Sequence, residues 1–159
     1  PIFERLQRSG VANCEVISAQ DQGKLEAAAP FDCVVIDAPC SGSGAWRRKP
    51  DAKWRLTETQ LDKRLKDQRQ VLEKGFGLVR PGGRLVYITC SVLAQENTAQ
   101  VADFLQRHPG CRLIPYTDQW RSAIGGEPPV SADGSQDTLL MTPARHGIDG
   151  FFVAVIGKG

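Results

Sequence analysis

The sequence predicts an α/β fold with a mainly parallel sheet, because short apolar runs and helical patterns alternate along the chain. The apolar runs Cys33–Ala38 and Leu85–Ile88 have the length and composition of buried parallel strands. Between them, apolar side chains recur at helical spacing, at Leu61, Leu65, Leu72, Phe76 and Val79. A chain of 159 residues has room for one domain with a hydrophobic core.

The N-terminal elements are predicted to be short. Ile2–Gln7 is typical of the end of a helix, and Gly10 can adopt the left-handed conformation that caps one. Cys14–Ser18 is a candidate strand, and the polar segment Gln20–Lys24 follows it.

The centre of the chain contains the longest predicted helix. Pro39 ends the strand that precedes it, and Ser41–Pro50 is a loop rich in glycine and arginine. Thr57–Gln60 matches a capping box and marks the first turn of the helix. Gln68 lies on the apolar stripe of this helix, where an apolar side chain would pack more easily.

The second half of the chain is predicted to alternate strands, a helix and a loop. Pro81–Gly83 is predicted to end the long helix and to lead into the strand Arg84–Thr89. A helix is predicted over Ala94–Arg107, and Arg112–Pro115 is a further candidate strand. Residues 117–136 are polar with scattered glycine and proline, which is typical of a loop.

The chain is predicted to close with a hairpin. Leu139–Met141 and Phe151–Ile156 are the candidate strands, and His146–Gly150 lies in the turn between them. A hydrogen-bonded histidine in a glycine-flanked turn explains His146, so no catalytic role is assigned to it.

Composition excludes several classes of protein. A net charge of +2 is too small to indicate a polyanion partner by itself. Five cysteines at irregular spacing do not resemble a disulfide framework, and two histidines without a Cys-x-x-Cys pair argue against a metal site. Reduced thiols indicate the cytoplasm. No apolar run is long enough to span a membrane, and Pro1–Gly10 carries too many charges for a signal peptide.

Two cysteines carry the functional prediction. Cys40 and Cys90 each follow a predicted strand, and ligands bind beyond the carboxyl ends of parallel strands. If the two strands are neighbours, both thiols face one crevice. Ser41–Gly44 is a polar turn whose backbone N–H groups would stabilise a thiolate. A strand-end thiol is more often a small buried hydrophobe, which is our interpretation of the other three cysteines.

The segment Trp46–Arg55 interleaves aromatic side chains with cations. Cations contact phosphates and aromatic rings stack on unpaired bases, so this segment contains the candidate nucleic-acid contacts Trp46, Arg47, Arg48 and Lys49. A solvated basic loop is the alternative. Later cations are expected on the solvent face of the long helix, at Lys63, Arg64, Lys66 and Arg69.

These motifs resemble those of the Sun/Nop2 family of RNA (cytosine-5)-methyltransferases. Asp37–Gly44 resembles the family's motif IV, Thr89–Ser91 its motif VI, and His146–Phe152 its closing segment, with Ile148 in place of a threonine. The likeness runs from about Arg5 to the end of the chain. Further matches lie between these segments, at Arg47–Asp51, Gln68, Pro81–Gly83, Glu96 and Asn97.

The resemblance implies a Rossmann-like class I fold, S-adenosylmethionine as cofactor and RNA as substrate, with ribosomal RNA favoured over transfer RNA. It implies that Cys90 is the thiolate that adds to cytosine C6 and that Cys40 helps to release the methylated product. Asp37 would hold the base or the cofactor. Asp21 is the counterpart of the family's aspartate near the adenine.

The family's glycine-rich cofactor loop and its ribose-binding acid have no counterpart in this sequence. The resemblance therefore implies that residues 1–159 form the C-terminal part of a single methyltransferase catalytic domain, in an incomplete fold without the first two strands. We expect the isolated chain to be inactive, to bind the cofactor weakly or not at all, and to self-associate through open sheet edges.

Two alternatives stay open from the sequence. A non-catalytic RNA-binding or assembly module would keep the fold without turnover. A cysteine-dependent phosphatase or other hydrolase is disfavoured, because Trp46 occupies the position after Cys40 where such a loop needs an arginine.

Overall fold

The fold is built around a five-stranded β-sheet. A computed structural model describes residues 2–18 and 20–159 of the chain. The strands are β1 (Phe31–Asp37), β2 (Val79–Thr89), β3 (Cys111–Ile114), β4 (Leu139–Met141) and β5 (Phe151–Lys158). The helices are α1 (Ile2–Arg8), α2 (Gln22–Ala28), α3 (Pro50–Arg55), α4 (Glu58–Gly77), α5 (Thr98–Arg107), α6 (Tyr116–Ala123) and α7 (Pro143–His146). Single 3₁₀ turns occur at Ser43–Ala45 and Ala94–Glu96.

The strand order is β1-β2-β5-β3, and β4 also pairs with β5. β1 and β2 are parallel neighbours, as the site prediction required, with Val35 opposite Val86. β5 is antiparallel to β2 on one edge and to both β3 and β4 on the other. β5 runs against the other four strands and separates β2 from β3. Among the described residues β1–β2 is therefore the one parallel pair, and the prediction of a mainly parallel sheet is wrong for this part of the sheet. The predicted hairpin of β4 and β5 is confirmed.

One face of the sheet carries the hydrophobic core beneath α4 and α5. The fully buried side chains there are Leu72, Leu85, Tyr87, Phe104 and Phe152. α4 begins at the predicted capping box, in which Thr57 accepts from the Gln60 backbone N–H and the Gln60 side chain accepts from the Thr57 N–H.

Pro81–Gly83 does not lead into β2 but lies within it. α4 ends at Gly77, and β2 begins at Val79. The pairing with β1 shifts in register at this point, because the left-handed Gly82 (φ +70°) and the closely packed Gly83 form a bulge. A Cβ on Gly83 would lie 2.7 Å from a methyl carbon of Val79.

Two other elements differ from the predictions. Cys14–Ser18 is not a strand, because no strand in the described part of the chain pairs with the outer edge of β1, and the next element is α2. Within the predicted loop 117–136, the first residues belong to α6. Its buried Tyr116 and the hydrogen bond from Arg84 to Gln119 fix α6 in place, which are tertiary contacts that a local pattern does not contain. No helix among the described residues is long and apolar enough to cross a membrane.

Candidate active site at the carboxyl ends of β1 and β2

Cys40 and Cys90 lie in contact at the carboxyl ends of the two parallel strands. Asp37, the last residue of β1, pairs with Ile88 near the end of β2, so the loops after the two strands start side by side. The Sγ atoms of the two cysteines are 3.2 Å apart, and both side chains are half-buried. The expectation that both thiols face one crevice is therefore confirmed.

The contact between the two sulfur atoms makes the thiols chemically different. A hydrogen bond from the Cys40 thiol lowers the pKa of Cys90 to about 7. The same hydrogen bond, together with burial, raises the pKa of Cys40 far above its usual range. Burial and the nearby negative charges of Asp37 and Glu96 oppose the shift in the pKa of Cys90. The pair thus combines a thiolate near neutral pH with a thiol that keeps its proton.

A buried carboxylate holds the loop that carries Cys40. Glu96 is fully buried, and its carboxylate accepts hydrogen bonds from the Ser41 backbone N–H at 2.8 Å and the Ser41 hydroxyl at 2.6 Å. Gln68, also fully buried, donates to Glu96 at 3.1 Å and to the Pro39 carbonyl at 2.9 Å. These two hydrogen bonds explain why the polar Gln68 lies on the apolar stripe of α4, because they link the helix to the Cys40 loop and to Glu96.

A second set of buried hydrogen bonds holds the segment after Cys90. The hydroxyls of Ser43 and Ser91 lie 2.9 Å apart, and the Val92 N–H donates to Ser43 at the same distance. Asn97 donates to the Ser91 carbonyl at 2.9 Å and accepts from the Thr89 hydroxyl at 2.6 Å. These bonds fix the backbone on both sides of Cys90.

The closing segment of the chain packs directly on the Cys40 loop. The Gly44 N–H donates to the Cys90 carbonyl at 3.0 Å, and the Gly150 N–H donates to the Gly44 carbonyl at 2.9 Å. A Cβ on Gly44 would lie 2.1 Å from the Gly150 carbonyl oxygen, and a Cβ on Gly150 would lie 2.7 Å from the Gly44 Cα. Neither position therefore has room for a side chain. Asp149 adds a paired acceptor for Arg48, which holds the pKa of Asp149 below its usual range.

The predicted basic contacts lie beside this closing segment. Arg48 Nε donates to Asp149 at 2.7 Å, and Arg47 lies 4.0 Å from the same carboxylate. Both arginines and Lys49 remain exposed. The Trp46 indole nitrogen is buried without a hydrogen-bond partner among the described residues.

The two predicted aspartates lie in different surroundings. Asp37 is exposed at the end of β1, close enough to influence the pKa of Cys90. Asp21 precedes α2 and accepts a hydrogen bond from Ser18 at 2.9 Å. The next residue, Gln22, lines a cavity of about 700 Å³ beside Gly77 at the C-terminal end of α4. The Phe31 N–H at the start of β1 donates to the Leu78 carbonyl, just after the end of α4. The cavity therefore lies near the start of β1, whereas the two thiols lie beyond its other end.

Sequence reasoning does not assign Glu96 or Asp149 a role in the site. Glu96 matches the family's pattern, and Gln68 on an apolar stripe independently requires a buried polar partner, but neither signal specifies what Glu96 does. Asp149 lies within the closing segment His146–Phe152, whose resemblance to the family likewise gives this residue no role. For His146 the sequence predicts a hydrogen-bonded turn residue, and this is confirmed by its contacts to the Thr142 N–H and the Val130 carbonyl, both at 3.0 Å.

Comparison with known proteins gives concordant matches. Residues 1–157 match the family described as 16S rRNA methyltransferase RsmB/F. The chain is 37% identical over 128 residues to a ribosomal RNA small subunit methyltransferase B of Vibrio cholerae, covering 80% of this chain and 26% of that protein. The chain thus spans about a quarter of the length of such a curated relative.

Two solved structures are similar over 99% of the chain. One is that of PH0851, with a TM-score of 0.81 and 30% identity, of which the chain covers 34%. The other is NSun6 from Pyrococcus horikoshii with SFG, with a TM-score of 0.77 and 26% identity, of which the chain covers 38%.

Proposed function

Because this chain belongs to the 16S rRNA methyltransferase RsmB/F family, we propose that residues 1–159 form the C-terminal part of one catalytic domain that methylates cytosine C5 in RNA. The fold is the Rossmann-like α/β fold of S-adenosylmethionine-dependent methyltransferases. Ribosomal RNA is the proposed substrate, in keeping with the names of the family and of the Vibrio cholerae relative.

S-adenosylmethionine supplies an electrophilic methyl group when bound. The similar NSun6 structure contains SFG, an analogue of this cofactor. The described residues fit such a ligand at Asp37, whose carboxylate is exposed at the end of β1 and next to the thiol pair. It can accept hydrogen bonds from amino or hydroxyl groups there. Asp21 lies away from the thiol pair and is proposed as a contact to the adenine end of the cofactor, as its resemblance to the family's aspartate implies.

In the proposed reaction Cys90 is the nucleophile. Cytosine C5 is a weak nucleophile, and addition of the Cys90 thiolate to C6 makes C5 electron-rich. Once C5 carries the methyl group, solvent water takes the C5 proton. The electron pair of that C–H bond restores the 5,6 double bond, and the C6–sulfur bond breaks to release the Cys90 thiolate. Cys40 keeps its proton within reach of the Cys90 sulfur, so it can protonate or hydrogen-bond the departing thiolate.

The observation that carries this proposal is the 3.2 Å contact between two thiols of opposite pKa shift. In covalent catalysis of this kind one thiolate attacks the base, and a second group that bears a proton assists the same sulfur atom when it leaves. A phosphatase would instead need a cation over the thiol, whereas Arg47 and Arg48 face Asp149.

Covalent capture of RNA by the whole protein that contains this chain tests the proposal. Cys90→Ala is expected to abolish the protein–RNA adduct on a denaturing gel. Cys40→Ala is expected to accumulate the adduct and to slow turnover by roughly 10²-fold or more, the usual contribution of a proton-transferring group.

Cys33→Ala is the matched control, because Cys33 is an exposed thiol on β1 and not the buried residue that the sequence predicts. It should leave capture and turnover unchanged. Accumulation of the adduct in Cys90→Ala would reverse the two roles, and an unchanged adduct in both variants would overturn the covalent mechanism.

A further inference from the structure

We propose that a cleft between α3 and the first turns of α4 holds the RNA strand that flanks the target base. The proposal rests on the function proposed above and adds a binding surface to it. The cleft has a volume of about 390 Å³, within the range of small-ligand sites. Its lining includes Cys40, Ser41, Arg55, Leu56, Lys63 and Arg64, and we call it the α3–α4 cleft.

The α3–α4 cleft starts at the proposed reaction centre. Cys40 and Ser41 form one end of it, and the cleft continues along the first turns of α4. A nucleotide whose base reaches the thiol pair must send its backbone away from the site in some direction. The cleft is a groove that begins at Cys40, so the adjoining nucleotide of the strand can enter it without crossing another element.

Charge in the α3–α4 cleft suits a phosphate. Its lining contains three cations, Arg55, Lys63 and Arg64, and no carboxylate. Arg55 pairs with Asp51, and Arg64 lies 3.7 Å from Asp67. Each arginine is therefore held in place by a carboxylate that partly neutralises its charge. In the described part of the chain, no carboxylate lies within 4 Å of the Lys63 ammonium group, which leaves it available for an anion.

Apolar surface in the same cleft suits a base or a ribose. Leu56 and Ala52 are half-buried and line the cleft beside the cations. Sites for single-stranded RNA combine cations along the backbone with apolar contacts to unstacked bases. The α3–α4 cleft has both, whereas the exposed Lys66 and Lys74 on the same helix lie outside it.

The sequence predicts RNA contacts in the preceding loop and a solvated helix face for Lys63 and Arg64. Both side chains are exposed, but they also border a groove that ends at Cys40, the proton-bearing thiol of the pair. Arg47 and Arg48 have Asp149 as a neighbour and would have to share their charge with it. The proposed RNA site therefore extends from the loop that contains Arg47 and Arg48 into the α3–α4 cleft.

Binding of a fluorescent, unstructured 12-nucleotide RNA to this chain tests the cleft. Lys63→Glu/Arg64→Glu is expected to weaken binding at least tenfold. It should also reduce the slope of log affinity against log salt, by about 0.7 for each phosphate that the variant no longer neutralises. Lys66→Glu/Lys74→Glu is the control, because it makes the same charge change on the same helix outside the cleft. It should weaken binding less than threefold.

Thermal unfolding of both double variants shows whether they fold like the parent chain. As a second readout, RNA that contains 4-thiouridine is expected to crosslink to peptides from residues 52–64. Equal weakening by the two double variants, or crosslinks confined to other peptides while RNA still binds, would overturn the cleft and leave the proposed function intact. Failure of the unsubstituted chain to bind the RNA would also overturn the cleft, whereas the proposed function is decided separately by covalent capture in the whole protein.

Discussion

The reactivity of Cys90 depends on one neighbouring atom, the Cys40 sulfur. An ordinary cysteine has a pKa of about 8.5 and is largely a thiol at neutral pH. At Cys90 the hydrogen bond from Cys40 outweighs burial and the negative charges of Asp37 and Glu96, and the pKa falls to about 7. In the described part of the chain no cation contributes to the lowered pKa of Cys90, so the hydrogen bond from Cys40 takes the place of a positive charge.

The pH dependence of alkylation tests this interaction. A thiolate reacts and a thiol does not, so the rate for Cys90 should rise through a midpoint near pH 7. In Cys40→Ala the largest lowering contribution is removed and a backbone hydrogen bond is the lowering contribution that remains, while burial and the two carboxylates still raise the pKa. The midpoint should then move to about pH 8.5 or above. Iodoacetamide labelling followed by peptide mass spectrometry measures Cys90 separately from the other thiols.

The exposed Cys14 is an internal reference in each digest, since its labelling should not respond to the Cys40 substitution. A midpoint for Cys90 that stays near pH 7 in Cys40→Ala would show that another group lowers its pKa.

At the scale of elements, the site is an assembly of three loops. The loop after β1, the loop after β2 and the segment before β5 meet where Gly44 donates to Cys90 and accepts from Gly150. The close approach of Gly44 and Gly150 allows the closing segment to lie directly over the Cys40 loop, with Asp149 beside Arg48.

Alanine substitution at Gly44 should separate these loops. The new Cβ would overlap the Gly150 carbonyl at 2.1 Å, and backbone atoms cannot yield as a flexible side chain does. We expect a loss of about 1–3 kcal/mol in the free energy of unfolding, the usual range for overpacking. Gly77→Ala is the control, because a Cβ there would meet no atom within 4 Å, at the end of α4. Urea unfolding measures both, and equal stabilities would contradict the packing argument.

Sequence patterns predict the elements that are defined locally. The capping box at Thr57 specifies the start of α4, and the apolar run that ends before Pro39 specifies β1. The predicted break at Pro81–Gly83 is wrong, because this segment lies within β2. The two parallel strands imply that the two thiols meet. The partners of Glu96 and the position of β5 between β2 and β3 depend on contacts between distant segments. One sequence by itself does not show which distant segments come into contact. For the same reason the local pattern predicts a loop where the structure has α6.

For the whole molecule, β1 has an open edge and an open face. Val35 is 61% exposed although it is a strand valine, and Cys33 on the same strand is also exposed. In the described part of the chain no strand pairs with the outer edge of β1. Unpaired N–H and C=O groups beside an apolar face favour pairing with another chain. We therefore expect this chain, taken by itself, to self-associate through β1, as the open sheet edge predicts.

Sedimentation in reducing buffer tests this association. The chain should form dimers in a concentration-dependent way, and Val35→Lys should weaken the association at least tenfold, because an edge lysine must be desolvated to pair. Val130→Lys is the control, since Val130 is similarly exposed but lies in a loop. Dimers that persist in Val35→Lys would exclude β1 as the interface.

β5 also determines the order in which the molecule can form. It follows every other strand of the described sheet along the chain, yet it joins β2 to β3 and brings Gly150 onto Gly44. A nascent chain emerging at about 5–20 residues per second would wait several seconds with one edge of β2 unpaired. The thiol pair would acquire its final surroundings only once β5 has been added, so a chain synthesised as far as β4 would have both cysteines without the closing segment beside them.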